Sequence, residues 1–144
     1  MKISTKGRYA LRLMLDIAIY SGETPVRIKD IAARQEISAK YLEQIVSALV
    51  KAGYLKSIRG AQGGYQLMFP ASEYTVGNIL RITEGSLVPV DCLEGDRSGC
   101  ERADGCVTLR LWWELNDAIN GVVDKYTLQD LIDWKDEMGT NYII

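Results

Sequence analysis

Apolar residues recur at helical spacing over most of this chain and give way to strand-like alternation at only one place. Ala10, Leu11, Met14, Leu15, Ile17 and Ala18 form one stripe, with Ser4 or Thr5 placed to cap a first helix that runs to about Ser21. Gly22-Glu23-Thr24-Pro25 breaks it. Ile28, Ile31 and Ala32 predict a short second helix over 26–35, followed by a tight turn at Glu36-Ile37-Ser38. Leu42, Ile45, Val46 and Leu49 then follow the i, i+3, i+4, i+7 pattern. That predicts a third helix over 39–52, capped by Ser38 and closed by Gly53.

Residues 54–58 and 65–68 read as two strands around the glycine-rich tip Arg59-Gly60-Ala61-Gln62-Gly63-Gly64, and Pro70 ends this hairpin. Thr75 caps a short helix over 76–83, closed by Gly85. Residues 86–106 have no period and read as a loop. A long helix is predicted over 108–125 and a last one over 128–137, capped by Thr127. In the long helix Leu109, Trp112, Leu115, Ile119 and Val122 lie near a heptad seam, widened by Leu111 and Val123, with Trp113 beside it. A small head cannot cover so long an apolar helix, so the seam points to a second copy of the chain.

The fold class follows: mainly α with a small β-hairpin wing, a winged helix–turn–helix plus a long C-terminal dimerisation helix. Its divisions are a DNA-binding head at 1–85, a cysteine-bearing loop at 86–107, and a dimerisation part at 108–144. A helix fits the major groove, and its polar face reads base edges. The outward residues of the third helix are Lys40, Tyr41, Glu43, Gln44 and Ser47. Gln44 suits adenine, Glu43 accepts from cytosine and repels wrong sites, and Lys40 and Tyr41 suit phosphates. In the wing, Arg59 beside Gly60 suits a narrow minor groove. The expected DNA partner is a near-palindromic double-stranded operator, read by a homodimer with recognition helices roughly 34–36 Å apart.

Charge sharpens this. Residues 1–66 hold eleven Lys/Arg against five Asp/Glu, a net +6, whereas residues 67–144 hold six against fourteen, a net −8. The basic half expects a polyanion. No apolar run approaches the roughly 18–20 residues that span a bilayer, and no signal-peptide pattern opens the chain, so no membrane partner and a cytoplasmic location are expected. The chain contains no histidine, which excludes Ser-His-Asp and Cys-His catalysis and imidazole metal ligands within one chain.

The three cysteines, Cys92, Cys100 and Cys106, lie in one loop as C-x7-C-x5-C, punctuated by Gly95, Gly99 and Gly105. An odd, clustered set argues against a disulfide framework and suits thiolate ligation of a soft metal or an iron–sulfur cluster. The same spacing also describes unliganded thiols.

Three segments carry a family resemblance. They are Lys2-Ile3-Ser4-Thr5-Lys6-Gly7-Arg8-Tyr9-Ala10, Tyr41-Leu42-Glu43-Gln44, and Ser57-Ile58-Arg59-Gly60 with Gly63-Gly64-Tyr65. With these the chain resembles the IscR, NsrR and CymR group of bacterial regulators over essentially its whole length. The resemblance implies a homodimeric transcription factor with no enzymatic activity. Cluster-binding members of the group carry three cysteines in this loop and CymR-like members lack them, so the resemblance implies a cluster, [2Fe–2S] first and [4Fe–4S] as the alternative. IscR-like proteins add a histidine three residues after the last cysteine, where this chain has Leu109. NsrR-like proteins use a carboxylate near the partner's N-terminus, where this chain has Lys6-Gly7-Arg8-Tyr9. The fourth position is open among Asp91, Glu94, Asp96, Glu101, Asp104 and Thr108, water, a small thiol or the partner subunit.

The expected function is a repressor of iron–sulfur cluster assembly genes. The competing readings are a nitric-oxide- or cysteine-metabolism-responsive regulator of the same fold, a small iron–sulfur electron carrier, and a structural zinc loop.

Overall fold

The computed structural model describes residues 2–95 and 100–139. Among these residues, six α-helices and one antiparallel hairpin follow in order: α1 Thr5–Tyr20, α2 Ile28–Gln35, α3 Ala39–Lys51, β1 Leu55–Ile58, β2 Gly64–Leu67, α4 Val76–Glu84, α5 Val107–Val123 and α6 Leu128–Met138. The caps the sequence offered are in use. Ser4, Ser38, Thr75 and Thr127 each accept a backbone N–H from the first turn of their helix, and Thr127 completes a capping box with Asp130. None of these helices is long and apolar enough to cross a membrane.

One core is shared by the whole head. The buried stripe of α3 (Leu42, Ile45, Val46, Leu49) meets Ala10, Leu13, Met14 and Ile17 of α1, Ile31 of α2 and Ile79 of α4. Leu128 of α6 is fully buried in that same core, so the last helix returns to the head. Its backbone is tied there too, since the Leu128 N–H donates to the Tyr74 carbonyl at 3.0 Å.

Helix α2 begins at Ile28, two residues later than its apolar pattern predicts. The reason is a competing backbone partner. Val26 donates to the Tyr65 carbonyl at 2.9 Å and accepts from its N–H at 2.8 Å, which extends the hairpin by an isolated bridge. The return strand starts at Gly64, paired with Ile58, one residue early for the same reason. Among the described residues, the loop over 86–106 holds two 3₁₀ turns, Asp91–Leu93 and Ala103–Gly105.

The apolar positions of α5 separate into two faces. Leu109, Trp112, Ile119 and Val123 are half-buried, facing α4 and the Asp91–Leu93 turn of the same chain. Leu111, Leu115, Ala118 and Val122, spaced four, three and four apart, point away. Leu111 and Val122 are 56% and 57% exposed. The single seam expected from the sequence mixed these two sets. Periodicity marks apolar positions without saying which chain covers them.

Candidate nucleic-acid interface and cysteine cavity

The helix–turn–helix is set by its turn. Glu36 at the C-cap of α2 takes the left-handed conformation (φ 55°), and Ile37 is buried beneath it. This aims α3 so that Lys40, Glu43, Gln44 and Ser47 are exposed while its apolar stripe faces the core. Tyr41, expected on the same polar face, is half-buried and packs edge-to-face on Tyr9 with ring centroids 5.7 Å apart. Its i−1 and i+2 neighbours point out, but a flat ring at that position reaches back over α1.

A buried polar network beneath the turn escapes sequence reading. Asp16 of α1 is fully buried and accepts three hydrogen bonds: Arg34 Nε at 3.0 Å, Arg34 Nη2 at 2.8 Å and Gln35 Nε2 at 2.9 Å. Arg34 also covers the Tyr20 ring at 4.0 Å, and its pKa is raised first by the hydrogen bond to Asp16. Arg12 donates to the Gln35 side-chain oxygen at 3.1 Å and to the Gln35 carbonyl. Four side chains thus lock α1 to the first helix of the motif.

The wing is held by close backbone approach. A Cβ on Gly64 would lie 2.4 Å from the Val26 carbonyl oxygen, and one on Gly63 would lie 2.3 Å from the Ile58 oxygen. Glycine is therefore required at position 64 by the bridge to Val26 and at position 63 by the backbone of the wing's own turn. Arg59 and Gly60 are exposed at the tip. Arg27 donates to the Ala61 carbonyl, and with Lys29 it walls a cleft of about 510 Å³ between the head of α2 and the wing. Neither cation stood out in the sequence, because their closeness to the wing comes from the Val26–Tyr65 bridge.

The base of the wing is fixed by Tyr74. Its hydroxyl accepts from the Met68 and Phe69 N–H groups at 2.9 and 3.0 Å and donates to the Tyr54 carbonyl at 2.8 Å. The head meets α5 through Arg81, whose guanidinium grips Asp124 at 2.6 and 2.9 Å and the Asn120 oxygen at 3.0 Å. This grip holds the Asp124 carboxyl below the usual carboxylate range.

Cys92, Cys100 and Cys106 all line one cavity of about 70 Å³, with Thr108, Leu109, Trp112 and Trp113 among the other walls. All three thiols are free. Cys106 stands at the N-cap of α5. The Thr108 hydroxyl, 3.4 Å from Cys106 Sγ, does most to hold this thiol below the ordinary cysteine range. The Leu109 backbone N–H adds to it, and Arg102 contributes a weaker pull. As placed, no three Cys, Asp or Glu residues among the described ones are gathered closely enough to hold a metal ion. Of the fourth-ligand candidates, Thr108 borders the cavity, while Asp91, Glu94, Glu101 and Asp104 are not among its walls. Asp96 and Gly99 lie outside the described residues. Leu109, at the position of the family histidine, is a wall of the same cavity. The donor set suits a thiolate-held inorganic group: three unpaired thiols face one space, one of them already shifted toward its ligating form.

Comparison with known proteins gives consistent findings. Residues 3–134 match the model of a family described as Rrf2, iron-dependent transcriptional regulator. The HTH-type transcriptional regulator CymR of Bacillus subtilis is 45% identical, over 94% of this chain and 93% of that protein. The solved structure of that CymR, described as the global cysteine regulator, superposes with a TM-score of 0.78 over 93% of this chain and 98% of its own. The HTH-type transcriptional regulator IscR of Serratia proteamaculans is 42% identical over 94% of this chain and 82% of that protein. The structure of T. potens IscR is 37% identical, with a TM-score of 0.77, over 99% of this chain and 93% of its own.

Proposed function

The chain belongs to the Rrf2 family of transcriptional regulators, and from that premise we propose that it is a dimeric repressor of iron–sulfur cluster assembly genes that senses a cluster held by its own cysteines. Membership makes it a DNA-binding regulator with a winged-helix head, and not an enzyme. The finer reading rests on one observation: three free thiols line a single cavity at the head of α5. Cys92, Cys100 and Cys106 supply three thiolates to a [2Fe–2S] cluster, with [4Fe–4S] as the alternative. A cluster with an incomplete protein ligand set is labile, which suits a sensor.

The reading of DNA falls to the exposed face of α3 and to the wing. Lys40, Glu43, Gln44 and Ser47 meet base edges and phosphates in the major groove, with Tyr41 bracing the helix at its edge. Arg59 and Gly60 enter the adjacent minor groove. Arg27 and Lys29 add backbone contacts beside the wing. The second copy packs on the outward face of α5, beside an open groove of about 600 Å³ that Ile3, Leu87, Val88 and Val122 help to line.

Two measurements test these parts separately. Arg59→Ala weakens operator binding about tenfold, a loss of roughly 1.4 kcal/mol, and lowers the salt slope by about one. Unchanged affinity in a gel shift would remove Arg59 from the interface. Cys100→Ala, purified without oxygen, loses colour, iron and sulfide while keeping its helical circular dichroism. If this variant unfolds instead, the cysteines form a structural metal site.

The likeness to CymR favours a second reading, in which the same fold answers to cysteine metabolism. Iron and sulfide counting on the anaerobic protein separates the two, since an iron-free chain that still binds its operator supports the second.

A further inference from the structure

The strands of the wing pair as far as Ile58 and Gly64, so residues 59–63 extend beyond the last pair. The Gly63 N–H donates to the Gly60 carbonyl at 3.0 Å, which closes a turn with Ala61 and Gln62 at its centre. Both central residues are exposed and neither has positive φ, so the turn is of type I. A side chain from outside the hairpin reaches this tip, because Arg27 donates to the Ala61 carbonyl. That oxygen belongs to the central peptide of the turn, whose rotation separates one turn type from another. Arg27 therefore holds the part of the wing most able to change shape.

Position 27 has little local reason to be arginine. It is the N-cap of α2, where Ser, Thr, Asn or Asp would accept a backbone N–H from the first turn, and Arg27 makes no such bond. A cation there also opposes the helix dipole. What the residue does reach is the wing. Its neighbour Val26 is bridged to Tyr65, which sets the Arg27 backbone beside the hairpin. Across the cleft from Arg27 and Lys29 stand Ser57, Gly60 and Ala61.

We propose that Arg27 is a positioning residue for the wing: it holds the tip in one shape, so that Arg59 beside the turn enters a minor groove well only where that groove is narrow. This rests on the reading that Arg59 is a minor-groove contact. A loop held in its bound shape beforehand loses less freedom on binding, and a fixed tip rejects groove widths to which a loose one would adapt. The guanidinium has further N–H groups beyond the one given to Ala61, and these remain for a phosphate.

The test uses the full chain and a duplex that it selects from a random-sequence pool, made with either A·T or G·C pairs where the wing lies. The wild-type chain prefers the A·T duplex several-fold in competition gel shifts, and Arg59→Ala removes the preference. Arg27→Met, of similar length but without charge or donor, removes most of it too, and the double variant discriminates no worse than Arg59→Ala alone. The phosphate contact of Arg27 is lost as well and weakens both duplexes alike, so the ratio carries the test. In the free protein, nitrogen-15 relaxation shows the Ala61 and Gln62 amides more mobile in Arg27→Met than in the wild type. Should that variant fail to fold, Arg27→Gln, two bonds shorter, is read in the same way. An unchanged ratio, or unchanged amide mobility, overturns the proposal. If Arg59→Ala also leaves the ratio unchanged, the minor-groove reading has failed and this inference falls with it. If Arg59→Ala removes the preference while Arg27→Met keeps it, this inference falls alone.

Discussion

Asp16→Ala destabilises the head by about 3 kcal/mol, and the melting temperature falls by roughly 10 °C. The carboxylate is fully buried and receives three hydrogen bonds, so its removal leaves the Gln35 amide, 3% exposed, and one face of Arg34 without an acceptor. Breaking a buried pair from one side costs about 3–5 kcal/mol. Arg34 keeps roughly a third of its side chain in water, and partial rehydration places the loss at the lower end. Asp16→Asn is nearly as damaging, because its NH₂ group faces the donors of Arg34. The network also sets the angle of α2 against α1, so operator affinity falls further than the unfolded fraction explains. Urea titration with a matched gel shift checks both effects. A stability loss below about 1 kcal/mol would show that the network does not hold the motif.

In the dimer proposed above, Leu115→Glu separates the two copies into monomers and lowers operator affinity about a hundredfold or more. Leu111, Leu115, Ala118 and Val122 form the face of α5 that its own chain leaves open. A two-fold interface receives each substitution twice, so this one places two carboxylates in one apolar seam. A separated head loses the linkage that makes the second half-site an intramolecular event, commonly worth 10²–10⁴ in avidity. The inner face of α5 is untouched, and circular dichroism stays the same. Sedimentation that still gives the dimer mass would move the interface elsewhere.

How much of this was legible in the sequence depends on the range of each interaction. The α3 stripe, the Ser38 and Thr127 caps and the glycine after α3 are local signals, and they appear where the pattern put them. The cysteines are close in sequence, so their sharing of one cavity was within reach. The ring of Tyr41 and the late start of α2 were not, since both answer to partners far along the chain, Tyr9 and Tyr65. Asp16 reads as one charge in an apolar helix until Arg34 and Gln35 are brought to it.

The two ends of α5 differ in how they are fastened. Its C-terminal end is clamped by Arg81 to Asp124 and by the Thr75–Thr127 bridge just beyond, whereas its N-terminal end begins at Cys106. Seventeen residues make an arm about 25 Å long. Such an arm behaves as a lever with its fulcrum at Asp124. A tilt of a few degrees about that point displaces the thiol end by roughly 1–2 Å while leaving the fulcrum almost still, which under the proposed sensing role is the direction in which a rearrangement around the cysteines would turn the head.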